Sequence, residues 1–178
     1  MHLSTLVEIA AELRRRAGLT KPPYSTTTII QSCFPSVLVT GFRLPDGVDE
    51  LATSASEGAT ILYSRSLPIP DQRYAIGHGL AHLIFDDRSA CIRPGKRQPN
   101  KYERRADYFS AELLAPAADV RSLVELLPSD EGEDREVYLD HVDQLASKFC
   151  LPAHVIDVQI RRLGLTDKIA SQIRLTNW

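Results

Sequence analysis

A chain of 178 residues can bury one good core, with room for at most a small appendage. Apolar residues at 43%, charged residues at 25% and a net charge of -2 are ordinary for a globular protein and make no global claim on nucleic acid or a membrane surface. No run approaches the ~20 apolar residues of a membrane span, and three scattered cysteines (Cys33, Cys91, Cys150) form no disulfide framework, so a reducing cytoplasm is the expected location.

From Met1 to Ala17 the chain reads as an amphipathic helix, with Leu3, Leu6, Val7, Ala10 and Leu13 on one side and Arg14-Arg15-Arg16 at its end, unlike a secretory leader. Gly18 stops it, Pro22-Pro23 stiffens the joint, and Ser25 is placed to cap a short helix that Pro35 ends. Val37–Phe42, Glu50–Ser54 and Ala59–Ser64 read as strands separated by Pro45-Asp46-Gly47 and Ser56-Glu57-Gly58, which predicts a small three-stranded antiparallel sheet. A helix is predicted over Arg73–Asp87, then a polar loop from Arg88 to Asn100, and a second strong helix from Tyr102 to Ala115 stopped by Pro116. Helices over Ala118–Leu126, Arg135–Phe149 and Ala153–Leu163 follow, the acidic stretch 129–134 forming a solvated loop. The expected fold class is α+β and mostly helical, with a domain over residues 1–128 and a C-terminal helical segment, 129–178, packed on it.

Chemistry concentrates in the first strong helix. His78 and His82 are four residues apart, so on a helix they lie one above the other, and two imidazoles so placed can close on one zinc ion. This is the spacing of the H-E-x-x-H metallopeptidase helix, except that the general-base position holds Gly79. The best third ligand is Glu103, in the first turn of the next strong helix; Asp107, one turn on, is placed to accept the other ring N–H of a ligating histidine. Against this stands the plain reading of a surface histidine pair, with function lying elsewhere, as in a DNA-binding factor that uses the C-terminal helices.

Two stretches carry a resemblance. Arg73-Tyr74-Ala75-Ile76-Gly77-His78-Gly79-Leu80-Ala81-His82 is similar to the Arg-x-x-x-x-His-Glu-x-x-His helix of the ImmA/IrrE metallopeptidases, and Glu103-Arg104-Arg105-Ala106-Asp107-Tyr108-Phe109-Ser110-Ala111-Glu112-Leu113-Leu114-Ala115-Pro116 resembles that family's second motif. The resemblance covers residues from about 20 to 116 and implies a zincin-like domain, Zn2+ held by His78, His82 and Glu103, and proteolysis of a helix-turn-helix transcriptional repressor in stress, phage-defence or mobile-element regulation. Gly79 departs from the pattern. Loss of a general base typically costs on the order of 10²–10⁴ in rate, and a mid-helix glycine costs about 1 kcal/mol relative to alanine. The sequence offers no structural reason for that glycine. Gly79 is therefore read as a substitution at a catalytic glutamate, leaving a crippled peptidase; the alternative is a natural zinc-binding pseudo-peptidase that regulates by binding protein or nucleic acid.

Three further features are legible. Cys91, in the loop between the ligand helices, could reach zinc's fourth position as a thiolate switch, or be a bystander thiol. Between residues 88 and 105 seven cations (Arg88, Arg93, Lys96, Arg97, Lys101, Arg104, Arg105) face Glu103 alone, which suits single-stranded nucleic acid as a trigger, or an acidic substrate segment, with Arg93, Lys96 and Arg97 at its centre. The stretch from Val142 to Leu165 is helix-turn-helix-like, with Val155, Ile156, Val158 and Ile160 expected to face the core.

Overall fold

The computed structural model describes residues 2–56, 58–85, 90–94, 101–127, 135–166 and 169, with backbone only for 90–94 and 135–137. Among these residues are seven helices and one four-stranded sheet, a mostly helical α+β fold. The amphipathic start is α1 (Leu3–Arg16), which buries Leu6, Ala10 and Leu13 but leaves Leu3 exposed, and ends at Gly18 with a positive φ of 70°. In α2 (Thr26–Cys33) the Ser25 hydroxyl accepts from the Thr28 N–H at 3.2 Å, the cap its position predicts.

The strands are β1 (Val37–Phe42), β2 (Val48–Ala55), β3 (Gly58–Ser64) and β4 (Ala90–Pro94), in the spatial order β1-β3-β2-β4. This corrects the expected three-stranded antiparallel sheet in two ways. β3 lies between its predecessors, parallel to β1 and antiparallel to β2. In this place between two neighbours its Ile61 is fully buried, although the Val37-Leu38-Val39 run of β1 is as apolar as any in β3. β4, read from sequence as part of a polar loop, pairs antiparallel with β2. Five residues ending in Pro94 give little strand signal, yet an edge position tolerates proline because one side of the strand needs no ladder bonds.

Over this sheet lies α3 (Ile69–Phe85), with Pro70 accommodated in its first turn, where the proline costs no ladder bond. Every residue from Tyr74 to His82 is buried, because α3 is covered by β2 and β3 on one side and by α4 (Lys101–Leu114) on the other. A helix enclosed this way needs small residues where neighbours come close. A Cβ built on Gly77 would lie 3.2 Å from Leu114 Cδ1; one on Gly79 would lie 2.9 Å from Ile61 Cγ2 and 3.6 Å from the Ala52 Cβ. The two glycines beside His78 thus serve opposite faces, Gly77 the α4 side and Gly79 the sheet.

α5 (Ala117–Glu125), α6 (Arg135–Phe149) and α7 (Ala153–Arg162) complete the chain. Val142, Leu145, Phe149, Ile156 and Ile160 belong to the same buried cluster as Leu6, Leu80 and Phe109. The turn between α6 and α7 passes through Cys150 in the left-handed region, φ 52°. Val158, expected in the core, is 59% exposed. Cys33 and Cys150 are half-buried free thiols. The acidic stretch 129–134 lies outside the described residues.

Candidate metal centre

Tyr74, His78 and His82 stand at successive turns of α3, and Glu103 and Asp107 at successive turns of α4. The two helices meet like a zip. The Tyr74 hydroxyl donates to Asp107 Oδ1 at 2.9 Å; His78 Nε2 lies 3.2 Å from that same oxygen and 3.6 Å from Glu103 Oε2; His82 Nε2 lies 3.6 Å from Glu103 Oε1. The imidazole centroids are 4.7 Å apart, with planes inclined at 76°. Both histidines are buried, whereas the Glu103 side chain is 19% and the Asp107 side chain 38% exposed, so the carboxylates form the solvent edge.

Sequence reasoning missed Glu50. This carboxylate on β2 is buried, and its Oε1 makes a hydrogen bond with His78 Nδ1, accepting from Nδ1–H in the tautomer that leaves Nε2 free for a metal. Asp107 was expected in that role, but it lies on the opposite, Nε2 side of the ring. The signal was present: Glu50 shares strand parity with Ala52, which is core-facing, so a charge there needs a buried partner. Its Oε2 has no hydrogen-bond partner among the described residues.

The donor set suits a metal ion. One donor atom each from Glu50, His78 and His82 falls within 4.8 Å of the others, all three residues being buried. A tetrahedral zinc with bonds of about 2.0–2.1 Å sets neighbouring donors roughly 3.3 Å apart. The 3.6 Å separations of Glu103 from both Nε2 atoms match that edge. Glu50 instead touches His78 at hydrogen-bonding range, too close for both atoms to sit on one ion.

Gly79 faces the sheet, against Ile61 and Ala52. The Cα of Cys91 pairs with that of Ala52 on β2. Arg88, Lys96 and Arg97 lie outside the described residues, and Arg93 is described only as backbone of β4. From the basic stretch, Lys101, Arg104 and Arg105 line a groove of about 550 Å³ with Leu3, Leu6, Tyr102 and Tyr108. Arg105 is tethered within it, donating to the Phe85 carbonyl at 2.8 Å.

Residues 35–161, from just before β1 into α7, match the family model Peptidase_M78, described as the IrrE N-terminal-like domain. No curated protein matches the chain.

Proposed function

The chain belongs to the Peptidase_M78, IrrE N-terminal-like family, and from that membership we propose that it binds one zinc ion through His78 Nε2, His82 Nε2 and Glu103 and engages a helix-turn-helix repressor in the cytoplasm, in stress, phage-defence or mobile-element regulation, with hydrolysis lost or slow. The family is one of metallopeptidases. The observation that carries the finer reading is the floor beneath Gly79: fully buried Ile61 stands where a side chain at this position would begin. A surface truncation would leave empty space there, whereas this glycine is fitted to its neighbours. That favours the pseudo-peptidase alternative over a recently lost glutamate.

When bound, zinc supplies Lewis-acid polarisation of a carbonyl or of a water. His78 and His82 bring two neutral nitrogen donors from one helix face, and Glu103 brings the negative charge. Asp107 stands at the solvent edge with Oδ1 oriented by the Tyr74 hydroxyl, and any remaining proton transfer falls to its carboxylate. No carboxylate extends from position 79 to take the proton of an attacking water.

The test is to incubate zinc-loaded protein with helix-turn-helix repressors and read complex formation and peptide masses together. The expected result is a complex containing intact repressor. Rapid cleavage by the unaltered protein would overturn the pseudo-peptidase reading. Absence of zinc from protein purified and reloaded with it would overturn the metal assignment.

The groove between α1 and α4 favours a second role beside the first. Lys101 and Arg104 are exposed at its edge, next to aromatic Tyr102 and Tyr108, a pattern that suits single-stranded nucleic acid as the signal controlling the complex.

A further inference from the structure

We infer that Glu50 is the positioning residue of this metal centre, and that Gly79 is what lets it act: the glycine brings β2 and β3 close enough to α3 for the Glu50 carboxylate to hold His78 by its Nδ1–H, leaving Nε2 aimed at Glu103. The inference rests on the zinc reading above.

Neighbouring positions carry the argument. Ala52 and Ile61, whose Cα atoms are register partners across β2 and β3, supply the nearest atoms to a Cβ placed at position 79. Glu50 lies two residues from Ala52 on the same face of β2, and His78 is the helix residue next to Gly79. The helix–sheet spacing is therefore set at position 79 and used at position 78. With alanine at 79, the new Cβ would start 2.9 Å from Ile61 Cγ2, where ordinary contact begins at 3.4 Å. Strand and helix would have to part by about half an ångström beside position 79, which would change where the Glu50 carboxylate meets the His78 ring.

Burial supplies the second strand of the argument. A carboxylate at a core-facing strand position is costly, the more so with Oε2 lacking a hydrogen-bond partner among the described residues. Fold stability does not call for it, since an apolar residue of similar size would fill the place without that cost. A carboxylate on the outer nitrogen of a ligating histidine does have a use. It fixes the tautomer, holds the ring plane, and makes the opposite nitrogen a better donor. His78 needs such control because it presents a nitrogen to each side, Nδ1 to the sheet and Nε2 to α4. On this view the chain has exchanged the peptidase base at position 79 for a firmer grip on the first histidine.

The experiment is chelator competition for zinc on the full chain, with Glu50→Gln, Glu50→Leu, Gly79→Ala and the double variant Gly79→Ala/Ile61→Ala. It is accompanied by thermal midpoints of the metal-free proteins and by nitrogen NMR of the His78 ring in the zinc-loaded ones. Removing a partner of this kind typically weakens metal affinity 10–100-fold. Glu50→Leu is expected to show that loss without a lower metal-free midpoint, and with a changed His78 ring signal. Glu50→Gln, whose amide oxygen still accepts from Nδ1–H, should recover part of the affinity. Gly79→Ala should weaken zinc, and Ile61→Ala should restore it by removing the Cγ atoms that block the new methyl. Unchanged affinity and an unchanged ring signal in Glu50→Leu, with the unaltered protein binding zinc, would overturn the role of Glu50 alone. A Gly79→Ala protein that binds as tightly as the parent would overturn the role of the glycine. Failure of the parent to bind zinc would instead remove the reading on which both rest.

Discussion

Arg73 Nε donates to the carbonyl oxygen of Cys150 at 3.0 Å, tying the first turns of the histidine helix to the turn between α6 and α7. Its Nη2 donates to the Tyr24 carbonyl at 2.6 Å, so one guanidinium joins three parts of the chain that are far apart in sequence. Hydrogen bonds involving a charged group contribute about 1.5–3 kcal/mol. Arg73→Ala should therefore lower stability by about 2 kcal/mol in urea unfolding. Arg73→Lys should recover less than half, because an ammonium cannot reproduce the two-pronged geometry. Unfolding midpoints of the three proteins decide it, and equal midpoints would mean that the clasp contributes nothing.

The metal assignment predicts a graded response. His78→Ala and His82→Ala should each lose stoichiometric zinc, since two remaining protein ligands rarely hold it. Glu103→Ala should bind weakly, whereas Asp107→Ala should keep its zinc. At a free zinc concentration about 100-fold above Kd the parent should gain about 2.7 kcal/mol of stability, and this gain should vanish in both histidine variants and under a chelator. Metal analysis with thermal midpoints checks the series; full zinc occupancy in both histidine variants would end the assignment.

Why some of this centre was legible in the sequence and some was not follows from spacing. His78 with His82, and Glu103 with Asp107, sit at helical repeats, and a helix converts such spacing directly into a shared face. Glu50 comes from a strand 28 residues before His78, and its role depends on where β2 lies beneath α3. That placement follows from β3 taking the centre of the sheet, which strand-by-strand patterning does not reveal. The packing around Gly79 was hidden for the same reason. The glycine's cost is local and visible, whereas its benefit, contact with Ile61, is tertiary. β4 was hidden because an edge strand need only supply a ladder partner, not an apolar pattern.

A pH dependence should arise far from the metal. The Tyr24 hydroxyl donates to Asp119 Oδ2, and burial together with that carboxylate pushes its pKa from 10.0 up to about 12. The folded state thus favours the protonated phenol. The associated stability is fully present below about pH 10 and is lost as pH rises towards 12. Tyr138, bonded to Asp157 at 2.6 Å and also raised to about 12, adds a contribution of the same sign. Urea midpoints at pH 9 and pH 11 should fall more steeply for the parent than for Tyr24→Phe, which has no phenol to ionise. Parallel lines for the two proteins would contradict this.

If single-stranded nucleic acid occupies the α1–α4 groove, binding should weaken sharply with salt, because cationic side chains release counterions from the phosphates. Reversing both Lys101 and Arg104, which are exposed at the groove, should reduce the log–log salt slope by about 1.4, at roughly 0.7 per contact on a single strand. Fluorescence anisotropy of a labelled oligonucleotide at several salt concentrations measures the slope. A slope unmoved by the double reversal would place any binding elsewhere.

The most direct trial of the pseudo-peptidase reading is Gly79→Glu. With a simple missing base, adding the carboxylate would restore hydrolysis at once. The packing predicts otherwise. The glutamate's Cβ would meet Ile61 Cγ2 at 2.9 Å, and Ile61 is fully buried and branched at Cβ, which makes its side chain stiff. Forcing extra atoms into a packed core typically costs about 1–3 kcal/mol. The single variant should therefore unfold earlier, bind zinc less tightly because the sheet is pushed from His78, and leave a repressor uncut. Adding Ile61→Ala makes room, so the double variant should recover zinc and raise cleavage by a factor on the order of 10²–10⁴, the usual worth of a general base. Midpoint, zinc content and peptide masses are measured on the same samples. A Gly79→Glu protein that is stable, zinc-loaded and proteolytic without help at Ile61 would show that the floor yields freely, and that the site is a peptidase lacking only its base.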